Sequence, residues 1–374
     1  MKRIFELMKT SLFLITLLLF AGAVAAKSNG KVLMVLSSHG EQQGEVRPGF
    51  EFDELSKAYL VFKQNGMEID IASPKGGAVE ADKYNPKESY NAALLADEAA
   101  MTKLANTLKL AEVAADEYQA VFVVGGKGAM FDLPKDTALQ ALIAKVYENE
   151  GTVAAVCHGP AALVDVTLSD GSYLVANRRV NGFTNTEEKL FGKKWLPEFE
   201  FMLQDKLIER GGKFQSSEMM LSHVAVDGRL ITGQNPSSTV DVATEVVKSL
   251  GQTPTSMPHY NDDETLKLVA KYLQGQKVAL EEIKQSPNKY NVPLVGMYGF
   301  YYLQAASDNQ ELEHALGLMQ FAQKAINNPR LDIQIAEVQM KLGQKKAAVS
   351  TLNQLLASTP DFQPALDMLK TIAL

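Results

Sequence analysis

The sequence predicts a doubly wound α/β domain with a mostly parallel sheet, followed by a separate all-helical domain, and three observations carry that prediction. Short apolar runs alternate with amphipathic helical segments from Lys31 to about residue 250, the pattern of a parallel sheet with helices on its faces. One such run, Thr152 to Val156, leads straight into a cysteine with small residues on both sides. Beyond Pro254 and Pro258 no convincing strand recurs, and only helical periodicity remains. A length of 374 residues suits two domains of roughly 100–200 residues each.

Taken in order, residues 31–37 (KVLMVLS) read as the first strand and 51–65 as the first helix, with Leu55, Ala58, Tyr59 and Phe62 as its apolar stripe and Gly66 as its stop. Residues 67–73 form the second strand, 120–124 another buried strand, and 139–147 a helix. Two further strands, 224–226 and 230–232, flank the turn Asp227-Gly228, and 237–250 closes the unit as a helix. The α/β domain is therefore expected over 27–251, a linker over 252–263 and a helical domain over 264–374. Within the last, Ala315, Met319 and Ala322 recur 33 residues later as Ala348, Leu352 and Leu355. Gly343, Ala348, Leu352, Leu355 and Pro360 also fall in tetratricopeptide register, where small residues let paired helices approach closely. Two readings stand: helices packed on the α/β domain, or a groove for a protein partner.

Residues 1–26 read as an export signal, since Lys2, Arg3 and Lys9 precede the apolar run Ser11 to Phe20, which ends in small residues up to Ala26. That run is shorter than the ~20 residues of a membrane-spanning helix, so cleavage near Ala25 or Ala26 and a periplasmic or secreted protein are expected. The signal holds three basic residues and Glu6, so its loss takes the formal charge from -7 to -9. No basic stripe is visible to offset this acidity, which argues against a nucleic-acid partner. The hydrophobic share of 46% and charged share of 22% are those of a globular protein.

Cys157 is the sole cysteine, so no intramolecular disulfide can form in an oxidising compartment. Its setting, Val153-Ala154-Ala155-Val156-Cys157-His158-Gly159-Pro160, has the small residues that a sharp strand-to-helix elbow requires around a nucleophile. A helix starting at such an elbow would turn its positive end toward the sulfur and favour thiolate. Upstream, Val121 to Val124 lead into Gly125-Gly126-Lys127-Gly128, whose backbone N–H groups could serve as an oxyanion site at the carboxyl edge of the sheet. The histidines show no ligand spacing such as HxH or HExxH, so neither a metal nor any other cofactor is expected.

Five segments carry a family resemblance: Gly49 to Leu55 (GFEFDEL), Ala72 to Gly77 (ASPKGG), Val124 to Pro134 (VGGKGAMFDLP), Ala155 to Leu163 (AVCHGPAAL) and Thr232 to Ser238 (TGQNPSS). In order and content they resemble motifs of the ThiJ/PfpI superfamily, whose fold is flavodoxin-like, and more narrowly its glutathione-independent glyoxalase branch. The resemblance spans about residues 31–250. It implies Cys157 as nucleophile, His158 as its proton carrier, Glu54 against the thiol and Glu188 orienting the histidine, with Glu187 as the fallback. It implies Gly125, Gly126 and Lys127 beside the substrate. The family commonly has histidine where this chain has Lys127, which leaves substrate choice open.

The activity implied is glyoxalase III-type conversion of methylglyoxal or a related 2-oxoaldehyde to a 2-hydroxy acid. Rival expectations on the same thiol are deglycation and amide hydrolysis. Glutaminase chemistry is disfavoured because Val224-Ala225, not a His-x-Glu motif, follows His223. A further rival is a chaperone or thiol sensor without turnover. Relatives often dimerise, which implies a homodimer unless the helical domain covers that interface.

Overall fold

A computed structural model describes residues 30–255 and 259–373, so the expected export signal lies outside the described residues. The strands, in chain order, are β1 (Lys31–Val35), β2 (Glu68–Ser73), β3 (Leu108–Lys109), β4 (Ala120–Val123), β5 (Thr152–Val156), β6 (Arg179–Val180), β7 (Lys213–Phe214), β8 (Val224–Asp227) and β9 (Leu230–Gly233). Seven of them form one sheet of order β3-β2-β1-β4-β5-β9-β8, while β6 and β7 pair separately. Every pairing in the large sheet is parallel except β8 with β9, where the predicted turn at Asp227-Gly228 makes an antiparallel hairpin at the edge. All residues of β4 and β5 are buried, as continuous apolar runs covered on both faces must be.

The helices of this unit are α1 (Phe52–Gln64), α2 (Ser89–Leu95), α3 (Glu98–Ala105), α4 (Ala129–Asp132), α5 (Thr137–Glu148), α6 (Asn185–Phe191), α7 (Leu203–Glu209) and α8 (Thr239–Ser249). Helix α8 packs over β5 and β9 beside α1, and α5 packs on β4 and β5. The predicted stripe of α1 is buried as expected, with Leu55, Ala58, Tyr59 and Phe62 in the main core. This winding brings the loops after β1, β4 and β5 to one edge of the sheet, where open α/β folds hold their ligands.

The remainder is helical: α9 (Asn261–Leu273), α10 (Val278–Gln285), α11 (Val292–Ala305), α12 (Asn309–Ile326), α13 (Pro329–Lys341), α14 (Lys345–Ser358) and α15 (Gln363–Ala373). Asn291, Asp308 and Asn328 each accept a hydrogen bond from a first-turn N–H, which starts α11, α12 and α13. Helix α9 begins at Asn261, inside the segment expected as linker, with Asp262 and Asp263 in its first turn. Both pair with the Nζ of Lys57 on α1, at 2.9 and 2.7 Å. The helical domain is packed onto the sheet domain, and Met219 and Leu221 join the same apolar cluster as Leu268, Val269, Val295 and Tyr298.

Candidate active site

Strand β5 ends at Val156, and Cys157 comes next with φ of 60°, a left-handed conformation uncommon for a residue with a side chain. The turn is held from both sides: the Cys157 N–H donates to Gly233 O, and the Phe183 N–H donates to Cys157 O. Gly159 is required by close approach, since a Cβ there would lie 2.5 Å from Val123 O of the neighbouring strand. The elbow expected from small flanking residues is thus present. The segment after the elbow departs from expectation, for Gly159–Leu163 is a five-residue 3-10 helix rather than an α-helix.

Glu54 and Glu188 arrive from different segments. Glu54, in the first turn of α1, is completely buried, and its Oε2 accepts from the Gly125 N–H at 2.7 Å. Among the described residues Glu54 Oε1 meets no N–H or O–H donor, and the carboxylate faces the Cys157 thiol closely enough for each to shift the other's protonation. On the other side, Cys157 Sγ lies 3.4 Å from His158 Nδ1, and His158 Nε2 lies 2.7 Å from Glu188 Oε2. With Nε2–H given to the carboxylate, the Nδ1 lone pair faces the sulfur. Glu187 is occupied elsewhere. Its Oε2 accepts from the Thr184 N–H and hydroxyl, and its Oε1 from the Met220 N–H, Gln234 Nε2 and Asn235 Nδ2.

Electrostatics correct one expectation. Burial, followed by the charge of Glu54 and a hydrogen bond to it, pushes the Cys157 thiol well above its ordinary value. The shift runs against the thiolate that the sequence led one to expect, and the sulfur is 3% exposed. A short 3-10 turn supplies too small a dipole to oppose that desolvation. Burial and then the Glu51 charge likewise raise Glu54, so its carboxyl holds a proton more readily than an exposed one.

The glycine loop divides its labour. Gly125 spends its N–H on Glu54 and so is no oxyanion donor, whereas among the described residues the N–H groups of Gly126 and His158 have no protein acceptor. Lys127 is half-buried, and its charge acts on Cys157, Glu51 and Asp82. Sequence reasoning missed Glu51, which burial and the charges of Asp53 and Asp82 raise to about 7. It also missed the aromatic wall: His158 packs against Phe183 and Phe199, and Phe199 against Phe131, which stacks on His39. A glutamate just before a helix and scattered phenylalanines have no spacing that would mark them. Gln234 and Asn235 stand in the segment Thr232 to Ser238, but their task of tethering Glu187 needed the fold.

Residues 46–249 match the DJ-1/PfpI family. The glutathione-independent glyoxalase hsp3101 of Schizosaccharomyces pombe is 34% identical over 254 residues, covering 60% of this chain and 99% of the relative. The glutathione-independent glyoxalase HSP31 of Saccharomyces cerevisiae is 29% identical over 241 residues, covering 59% and 98%. Among solved structures, Rapid Encystment Protein 24 KDa of Francisella tularensis superposes with a TM-score of 0.56 at 33% identity, covering 59% of this chain and 99% of that one. Glyoxalase III from Candida albicans gives 0.55 at 26% identity, covering 59% and 98%.

Proposed function

This chain belongs to the DJ-1/PfpI family, and from that membership and the surroundings of Cys157 we propose that it converts methylglyoxal or a related 2-oxoaldehyde to the 2-hydroxy acid without glutathione or any cofactor. The observation that carries this reading over amide hydrolysis is Glu54. A hydrolase needs the cysteine, the histidine and its carboxylate; a second buried acid beside the sulfur adds a carrier for a carbon-bound proton.

The steps balance within the site. Sγ attacks the aldehyde carbon while its proton passes to His158 Nδ1, and the new oxyanion lies toward the Gly126 and His158 N–H groups. Glu54 takes the hydrogen from that carbon, the electron pair forms a double bond to the neighbouring carbon, and the ketone oxygen takes the proton from His158. The oxyanion then collapses to a thioester as Glu54 returns its proton to the second carbon. Water, activated by His158, releases the acid and restores the thiol. One carbon is oxidised as its neighbour is reduced, so no external electron carrier enters. Burial of Glu54 and His158 keeps bulk water from intercepting the enediol.

A panel of small 2-oxoaldehydes and amides, offered to the purified protein without glutathione, tests the reaction class. Acid formed from 2-oxoaldehydes and untouched amides are expected; the reverse would assign a hydrolase. We also read the protein as exported, acting in the periplasm or outside the cell, on the strength of residues 1–26. A mature protein beginning at Ala26 or Lys27 is the expected result of N-terminal sequencing, and one still carrying Met1 would contradict it. The 33-residue echo falls on α12 and α14, whose Ala315, Met319, Ala322, Ala348, Leu352 and Leu355 are all buried. That burial supports reading these helices as tetratricopeptide-like pairs.

A further inference from the structure

Glu54 and Glu188 each stand on a helix that the helical domain touches. Glu54 lies one turn before Lys57 on α1. The Lys57 side chain is 5% exposed, with its Nζ held between Asp262 and Asp263 at the start of α9 and lying 4.6 and 5.5 Å from the ring centroids of Tyr90 and Tyr260. Tyr90 also donates to Asp53 Oδ2, the neighbour of Glu54, at 3.2 Å. An ammonium so enclosed fixes its helix, because every displacement of α1 separates a desolvated charge from its partners.

Glu188 is fixed in a similar way. It lies one turn before Phe191, the last residue of α6, whose ring meets that of Tyr301 on α11 at 4.8 Å. Leu190 and Phe191 pack against the apolar core of the helical domain, and the Met220 N–H that binds Glu187 belongs to a segment whose neighbours, Met219 and Leu221, are part of that core. Sulfur and histidine sit on β5 and its elbow, which the sheet itself holds. The acids sit on helices that flank the sheet, and each of those helices also meets the appended domain.

We infer that the helical domain is a brace for catalysis, in which Asp263 acts through Lys57 to hold Glu54 beside Cys157 and Tyr301 acts through Phe191 to hold Glu188 on His158. Both are positioning residues, distant from the reacting atoms. The turnover arm of the test rests on the glyoxalase reading; the thiol-reactivity arm does not.

Three variants of the full chain decide it: Asp263→Asn, Tyr301→Ala and Tyr301→Phe, each read by kcat and KM for methylglyoxal and by the pH dependence of Cys157 alkylation with iodoacetamide. In Asp263→Asn, Lys57 is drawn toward the more exposed Asp262 and α1 shifts. The thiol then loses part of the negative neighbour that raises it, so its alkylation midpoint falls by about one pH unit. Misplacement of Glu54 costs on the order of tenfold in kcat with a smaller change in KM. Tyr301→Ala slows both alkylation at neutral pH and turnover several-fold, and Tyr301→Phe, which keeps the ring, restores them. Alkylation profiles of Asp263→Asn and Tyr301→Ala that superimpose on the wild type, even with lowered melting temperatures, would show a merely structural contact and overturn the brace. A shifted profile in a protein that turns over no 2-oxoaldehyde would uphold the brace and remove the glyoxalase reading instead.

Discussion

At the scale of single residues the site is a cluster of acids kept out of water, and that burial sets its behaviour. Cys157 was legible in the sequence because an elbow needs small neighbours, and Ala155 and Gly159 supply them. Its protonation state was not legible, since desolvation depends on what covers the sulfur, and Glu54 comes from about a hundred residues upstream. The same physics makes a prediction about Glu51. Its folded value of about 7 exceeds the ordinary 4.5, so the folded state binds its proton more tightly than the unfolded chain does. The stability this contributes is complete below about pH 4.5 and is lost as pH rises through 7. Glu51→Gln is therefore expected to match the wild type in urea denaturation at pH 4 and to exceed it by about 1–3 kcal/mol at pH 8. Equal stabilities at pH 8 would show that Glu51 ionises as freely folded as unfolded.

At the scale of elements, α6 shows how the carboxylate paired with His158 is aimed by groups outside that pair. Thr184 and Glu187 form a reciprocal cap at its start, and Gln234, Asn235 and the Met220 N–H fasten Glu187 to the rest of the sheet domain. The sequence offered two adjacent glutamates; the capping pattern Thr184-x-x-Glu187 could have separated them, because an acid at that third position is drawn back to the helix start. At the far end Gly192 leaves room for the Glu188 carboxylate, and a Cβ there would collide with Glu188 Oε1. Its φ of -87° suits alanine, but that Cβ would also lie 2.7 Å from Glu188 O, so Gly192→Ala is expected to displace Glu188 at some cost in melting temperature. Loss of about 10- to 100-fold in kcat is the predicted readout. Full activity in that variant would mean that the His158–Glu188 pair is dispensable. The strands were the easiest elements to read, since β5 matches its predicted bounds and β1, β2, β4, β8 and β9 lie within a residue or two of theirs. The turn after Cys157 was misread because a Gly-Pro pair suits the start of either helix type.

At the scale of the whole molecule, the passage from a sheet region to an all-helical one was legible from the change of hydrophobic period, but the packing of one on the other was not. Asp262 and Asp263 looked like polar linker residues; only the fold brings them to Lys57, some 200 positions earlier. Long-range ion pairs leave no local pattern, which is why the helical region could be read equally as a docked support or as a free binding module. The fold itself follows from composition and alternation, and the chemistry from side chains that converge on one sulfur. The most direct test of that convergence is the steady-state yield of 2-hydroxy acid from methylglyoxal in the absence of glutathione, measured for the wild type, Cys157→Ala and Glu54→Gln. The wild type should form the acid, Cys157→Ala should lose at least about a thousandfold, and Glu54→Gln should lose roughly 10²–10⁴-fold while its thiol still reacts with iodoacetamide. Undiminished acid production by either variant would contradict the assignment of the reaction to this site.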